Sequence, residues 1–394
     1  MKNGILAGHS PAFPGALYFN CFQGMTMEKT KFFKSPYFWL IMLLPLGGVV
    51  YAAARYLPGF AGFYSAAVYP AIAGFFGSIT GALPFSNMEI VIAAGIFLAV
   101  FWPVQAALAV RKGRKTVSAA FGGVLLKIIS AASAVLFLFV IFCGVNYYRP
   151  SFADTVGLEV RDSSVDELYE LCSDLLDEAN ALSTQLEHAS DGTTLYPKDN
   201  YTMAKEACRG YSELCEEYEF LRMGAVTFGR PKPVFFSVVM SYLQISGVYS
   251  PYTVEANVCT AGPDFLRGAT MMHEQTHLRG FMIEAEANFV AYLACMESGD
   301  PYFEYSGTSL ALLYSMNALY EVDPERCLEL RARYCEALDA DMRAQSDYVH
   351  AYDTKIAEVS DSINDTYLKL NAQQDGVRSY GKMVDLLLAY WREK

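Results

Sequence analysis

Histidine is scarce in this chain, with 5 among 394 residues, so any pair at a meaningful spacing stands out. The nine cysteines include no CxxC, which excludes a zinc ribbon. Seven of them lie beyond residue 150, at Cys172, Cys208, Cys215, Cys259, Cys295, Cys327 and Cys335. An odd number rules out a complete internal disulfide framework. Cys208 with Cys215 and Cys327 with Cys335 are close enough in sequence to pair, but buried thiols are the expectation. There is no Gly-rich phosphate loop, no Ser nucleophile elbow and no dinucleotide fingerprint, which removes the chemistries those motifs carry. Acidic residues are almost missing from residues 1–149, where 11 Lys/Arg stand against 2 Asp/Glu, while residues 150–394 hold 19 and 40. So sharp a split marks two environments, and an acidic domain repels phosphates, so no nucleic-acid partner is expected.

What is abundant is apolar sequence, 53% of the chain. The run from Pro36 to about Tyr56 is long enough to span a bilayer, and Lys29, Lys31 and Lys34 before it mark residues 1–35 as cytoplasmic. Residues 1–26 show no periodicity, and Met25 and Met27 directly precede the basic stretch, so they read as an upstream extension. Residues 59–86 are apolar but rich in Gly, Pro and small side chains, and are expected to form an amphipathic or re-entrant piece on the outer face, the alternative being a fourth span. Ile90–Val110 reads as a second span. It ends in the basic cluster Arg111–Lys115, whose place between apolar segments sets it in the cytoplasm. A third span is expected at about Leu125–Tyr147, with Lys127 snorkelling to the cytoplasmic face. About three spans starting inside finish outside. A membrane domain over residues 36–149, with the lipid bilayer as partner, would then carry an extracytoplasmic domain over 150–394.

That domain reads as mainly α. Ser164-Val165-Asp166-Glu167 is a capping box, and Leu168, Leu171, Cys172, Leu175, Leu176 and Ala179 follow at helical spacing. Asn200–Leu221 reads as another helix, Asp323-Pro324 as the start of a long one to about Tyr352, and Ser379–Trp391 as the last. The exception is Ile245–Val258, where β-formers are interrupted by Gly and Pro. A small β element here, shortly before the histidine pair, would offer an edge to a substrate backbone, with Tyr249 and Tyr252 lining a pocket.

The candidate chemistry sits in Met272–Glu297. His273, Glu274 and His277 form HExxH. On a helix, residues four apart share a face, so both imidazoles can address one ion, and Glu274 beside them can act as general base toward a metal-activated water. Gly280 can end that helix in a left-handed conformation, sending Met282–Ser298 back as a second helix with Glu284 in its first turn. Glu284 is then the expected third zinc ligand, with Asn288, four residues on, orienting a ligand imidazole from behind. Glu286 and Glu255 are the alternative third ligands. Tyr305 is a candidate donor to a developing oxyanion.

HExxH followed by Glu284-x-x-x-Asn288 resembles the gluzincin pattern of zinc peptidases. The resemblance implies His273, His277 and Glu284 as ligands, Glu274 as base and Asn288 in the place of the orienting Asp. This chain departs from it in two ways: Glu284 follows His277 by only seven residues, and Asn stands for Asp. The chain also resembles an uncharacterised bacterial membrane family, domain of unknown function 3810. That resemblance rests on Asn146-Tyr147, Gly247–Val258, HEQTHLRGFMIEAEANF, Tyr305-Ser306-Gly307, Tyr367-Leu368-Lys369 and GVRSYG at 376–381. It implies membrane attachment and a peptidase-like site. The expected function is thus a membrane-anchored, Zn²⁺-dependent metallopeptidase acting on a peptide or protein substrate, in a zincin-like helical domain. The alternative is a membrane-tethered binding or sensor module with a structural metal or none. A transport role for residues 59–86 is a weaker option, since the spans lack paired charges.

Overall fold

The computed structural model describes residues 33–223, 228–370 and 381–394. The expectations placed on Met25, Met27, Lys29, Lys31, Ser379 and the GVRSYG stretch before Gly381 lie outside those residues. The described chain falls into two compact units, one of residues up to Gly48 with Phe101–Phe137, the other of Val49–Val100 with Leu138–Lys394.

Four helices are long and apolar enough to cross a membrane: α1 (Pro36–Tyr56), α2 (Phe60–Gly81), α3 (Asn87–Arg111) and α4 (Val117–Phe142). The third expected span is displaced toward the N-terminus. Gly113 stops α3 with a φ of +67°, and the Thr116 hydroxyl accepts the Ala119 N–H at 3.3 Å, so α4 starts at Val117. It ends at Phe142 and gives way to a 3₁₀ turn over Gly144–Tyr148. Within residues 59–86, Phe60–Gly81 form an almost continuous helix, with one π turn over Tyr64–Val68. In α2, 39% of the most apolar window is buried, against 0–11% in the other three. Its buried small residues, Ala61, Ala73 and Gly77, allow close approach to chain that comes much later.

Beyond a short helix α5 (Phe152–Val156), the second half is a helical domain. The helix α6 (Val165–Ser183) opens with the capping box, Glu167 N–H donating to Ser164 Oγ at 3.1 Å and Ser164 N–H to Glu167 Oε2 at 2.9 Å. Its buried face carries Leu168, Leu171, Leu175, Leu176 and Leu182, each worth about 1.5–3 kcal/mol of burial. That face packs on α11 (Pro301–Val322). Between them in sequence come α7 (Asn200–Glu217), capped by Asp199, the six-residue α8 (Ser237–Tyr242), α9 (Arg267–Leu278) and α10 (Glu284–Met296). Then follow α12 (Pro324–Arg331), α13 (Glu336–Ala351), α14 (Lys355–Leu370) and α15 (Gly381–Glu393). The single long helix expected from Asp323-Pro324 is two. Asn180 of α6 donates to Arg333 O at 3.0 Å and accepts the Cys335 N–H at 2.9 Å, which stabilises an interruption that local propensity does not announce.

Two small sheets complete the domain. Strands β1 (Glu187–His188) and β2 (Thr194–Leu195) pair antiparallel. The strands β3 (Lys232–Pro233), β4 (Gly247–Ser250) and β5 (Glu255–Val258) lie in the order β3-β5-β4, with β3 parallel and β4 antiparallel to β5. The stretch read as one β element is therefore a hairpin, and β4 is its outer edge. No disulfide joins any of the eight described cysteines, six of which are buried.

Candidate metal centre

The central helix of the domain is α9, packed among β5, α7, α10 and α11. It ends as the sequence predicts. Gly280 adopts φ +79°, its N–H donating to His277 O at 2.9 Å and the Phe281 N–H to Thr276 O at 3.4 Å. The reversal does two things at once. It turns the Phe281 carbonyl onto His277 Nδ1 at 2.6 Å, which leaves Nε2 facing forward, and it starts α10 with Glu284 beside that nitrogen. Orphan carbonyls at the end of α9 find donors from earlier chain: Tyr69 Oη donates to Leu278 O at 3.0 Å and Arg149 Nη1 to Arg279 O at 3.0 Å.

His273 Nε2 lies 3.2 Å from Glu284 Oε2, and His277 Nε2 lies 3.6 Å from Glu284 Oε1. The two imidazole rings are nearly perpendicular, centroids 4.5 Å apart. One donor atom from each of the three residues lies within 4.8 Å of the others. Zinc bonds of 2.0–2.1 Å at tetrahedral angles put ligand atoms about 3.3 Å apart, so these residues fit a zinc ion. Among the described residues, the group holds three ligands and no fourth.

Glu274 fits the role beside them. Its carboxylate is buried, and Oε2 has no hydrogen-bond partner among the described residues. The edge strand comes close here: a Cβ on Gly247 would lie 2.8 Å from Glu274 Cγ and Cδ, so only glycine lets β4 approach. All four groups line a cavity of about 460 Å³, with β4 on one side and Leu310 and Tyr314 of α11 on another.

Burial works against the charged form of each group. At His273 the Glu284 carboxylate, with Glu274 behind it, outweighs burial and raises the imidazolium to about 9. Burial prevails at His277, which falls to about 4. Glu284 is held at about 2, because the two histidines offset its burial. Glu274 is pushed up to about 8 by burial.

The other sequence candidates are distributed differently. Asn288 lies beside His273, and its amide donates to Tyr314 Oη at 3.4 Å. Glu286 points away from the histidines, its Oε1 accepting the Phe152 N–H at 3.0 Å, and burial raises it to about 7. Glu255 is ion-paired with Lys232 and accepts the Asn87 and Met88 N–H groups at 2.9 and 3.2 Å, tying β5 to the first turn of α3. Tyr249 lines the cavity, and its hydroxyl donates to Phe142 O at 3.1 Å. Tyr252 sits in the β4–β5 turn, partly exposed and outside the cavity lining. Tyr305 is in the core, its hydroxyl donating to Asp341 Oδ2 at 2.7 Å rather than toward the cavity. Tyr314 was not singled out by the sequence. One of 27 tyrosines, it carries no local signal, and only the packing of α11 against α10 sets it at the cavity. Burial, with the Glu284 carboxylate nearby, pushes its hydroxyl well up, so it remains a proton donor at neutral pH.

Fold and site together define a helical, membrane-associated protein with a three-residue cluster of metal-ligating side chains beside an edge strand. Residues 64–388 match the model of the family described as "Protein of unknown function (DUF3810)", and the chain belongs to that family. No curated protein and no solved structure matches it.

Proposed function

We propose that this protein is a membrane-anchored, zinc-dependent peptidase of gluzincin-like design, with its site outside the cytoplasm. The observation that carries the reading is the convergence of His273, His277 and Glu284 within ligand distance, with Glu274 lining the same cavity and its Oε2 without a hydrogen-bond partner among the described residues. When bound, zinc supplies Lewis acidity and lowers the pKa of water in its open position. Glu274 takes the proton of the attacking water and returns it to the leaving amine. His277 is held in one tautomer by Phe281 O, while Asn288 lies beside His273, whose buried Nδ1 has no hydrogen-bond partner among the described residues. An extended peptide pairs with the outer edge of β4, which no other strand among the described residues covers, and this brings its carbonyl past Glu274. Tyr314 Oη is the group within reach to donate to the oxyanion. Three ligating side chains among the described residues, where a structural zinc would take four, favour this reading over a structural metal. Replacing Glu274 by Gln is expected to retain zinc and to lower peptide hydrolysis by about 10²–10⁴-fold. Unchanged hydrolysis in a zinc-loaded Glu274→Gln protein refutes the mechanism.

The membrane arrangement follows from α2. Near its start, a Cβ added at Gly62 would lie 3.4 Å from Pro150 Cδ, and near its end one added at Gly81 would lie 3.0 Å from Gly229 Cα, with Tyr69 bonded to Leu278 O between them. A helix crossing the bilayer would carry one end about 30 Å from the other face. We therefore read α2 as lying wholly on the side of the catalytic domain. On this reading α1, α3 and α4 are the spans, and the positive-inside rule supports a cytoplasmic Arg111–Lys115 cluster with the domain outside.

A further inference from the structure

The metal cavity opens between two apolar surfaces. On one side Phe235 (85% exposed), Phe236, Val238, Val239 and Tyr242 all face outward from α8 and the two residues before it. Single exposed apolar residues are ordinary, but five within eight positions form a contiguous patch. On the other side α14 exposes Ile356, Val359 and Ile363 (65% exposed) at one-face helical spacing. The two surfaces are joined at the cavity mouth, where Ser360 Oγ donates to Leu243 O at 2.8 Å, and Leu243, Ser360 and Ile363 line the opening.

Glu89 fixes where the patch sits. The carboxylate of this first-turn residue of α3 accepts the N–H groups of Phe235 at 3.1 Å and Phe236 at 2.9 Å. Met88, its neighbour, packs against the cluster of Val234, Met240 and Cys259. The most apolar window of α3 has none of its residues buried, so most of its surface is open to hydrocarbon. A segment held to the first turn of such a helix lies at the depth where that helix enters the bilayer.

We infer that Phe235–Tyr242 inserts into the headgroup boundary of the bilayer, with the α14 stripe resting on the same surface, so that the metal cavity opens onto lipid. The class of substrate follows, and this part rests on the peptidase reading: polypeptide held at the membrane, in the residues adjoining a transmembrane or lipid anchor. Such a chain reaches β4 without leaving the interface. A freely diffusing peptide has no comparable access to a mouth bordered by acyl chains.

The test needs neither zinc nor catalysis. The full chain is reconstituted in phosphatidylcholine vesicles whose acyl chains carry bromine near the headgroup, and tryptophan emission is measured for Phe236→Trp, Ile363→Trp and Leu195→Trp, each after subtraction of the parent. Leu195 lies on β2, near the end of α9 opposite Leu278, and serves as the water-facing reference. Because an interfacial segment sits about 5–10 Å into the boundary, the probes at 236 and 363 are expected to lose about half or more of their emission and the probe at 195 almost none. Equal quenching at 195 and 236, or none at 236 and 363, overturns the inference. Quenching as expected in a protein that proves unable to hydrolyse any peptide leaves the membrane contact established and counts against the peptidase reading alone.

Discussion

A carboxylate shared by two imidazoles titrates as part of that cluster, and this sets the first expectations. His273 holds its proton up to about pH 9, so zinc binding at neutral pH must displace it. Calorimetry in buffers of different ionisation enthalpy should report release of about one proton or more, with affinity rising from pH 7 toward 9. Glu284→Gln should weaken zinc binding by at least about 100-fold, whereas Glu286→Gln and Glu255→Gln should leave the stoichiometry intact; the reverse ranking would move the site. Glu286 also carries a stability signature. Its folded pKa, raised to about 7, means that the folded state binds its proton more tightly than the unfolded chain. The stabilisation is complete below the ordinary carboxylate range and lost as pH rises through 7. Glu286→Gln should therefore raise Tm relative to the parent at pH 8 and change it little at pH 4.5.

At the scale of elements, the site depends on one reversal of chain direction. Gly280 occupies a left-handed conformation in which an added Cβ would come within 3.2 Å of Asn146 Nδ2 and Tyr69 Cε1. Gly280→Ala should destabilise the domain by about 1–3 kcal/mol, and it should also weaken zinc binding, because Phe281 O and Glu284 depend on the same turn. A purely structural defect elsewhere would lower thermal stability and leave zinc affinity alone. The pairing of β4 with Glu274 is similarly strict. A side chain at Gly247 displaces either the Glu274 carboxylate or the strand, so under the proposed mechanism kcat should fall in Gly247→Ala even where zinc remains bound.

For the whole molecule, the sequence's charge asymmetry and the packing of α2 make one topological prediction. Cysteines introduced at Leu57 and Leu83, on either side of α2, should both react with a membrane-impermeant thiol reagent added from the side that labels Asp162→Cys. Lys112→Cys should react only from the opposite side. Labelling of positions 57 and 83 from opposite faces would make α2 a fourth span, which with a cytoplasmic N-terminus would set the basic cluster outside and the domain in the cytoplasm.

Local signals were legible without coordinates. Apolar runs long enough for a bilayer, the i, i+4 histidines, the Ser164 capping box and the glycine that ends the metal-site helix are each decided within a few turns of chain. Their physics is short-range, so the sequence by itself determined a helical chain, apolar at its start, with two histidines on one helical face. Which carboxylate meets them was not local. Glu284, Glu286 and Glu255 are chemically alike. Their fates were settled by partners distant in sequence: the Phe152 amide for one, Lys232 and the start of α3 for another. The same holds for the interruption that Asn180 stabilises, for Tyr314 at the cavity and for α2 lying along the domain. Each of these is a choice among nearly equal local options, and only the packed tertiary structure supplies the energy difference that makes it.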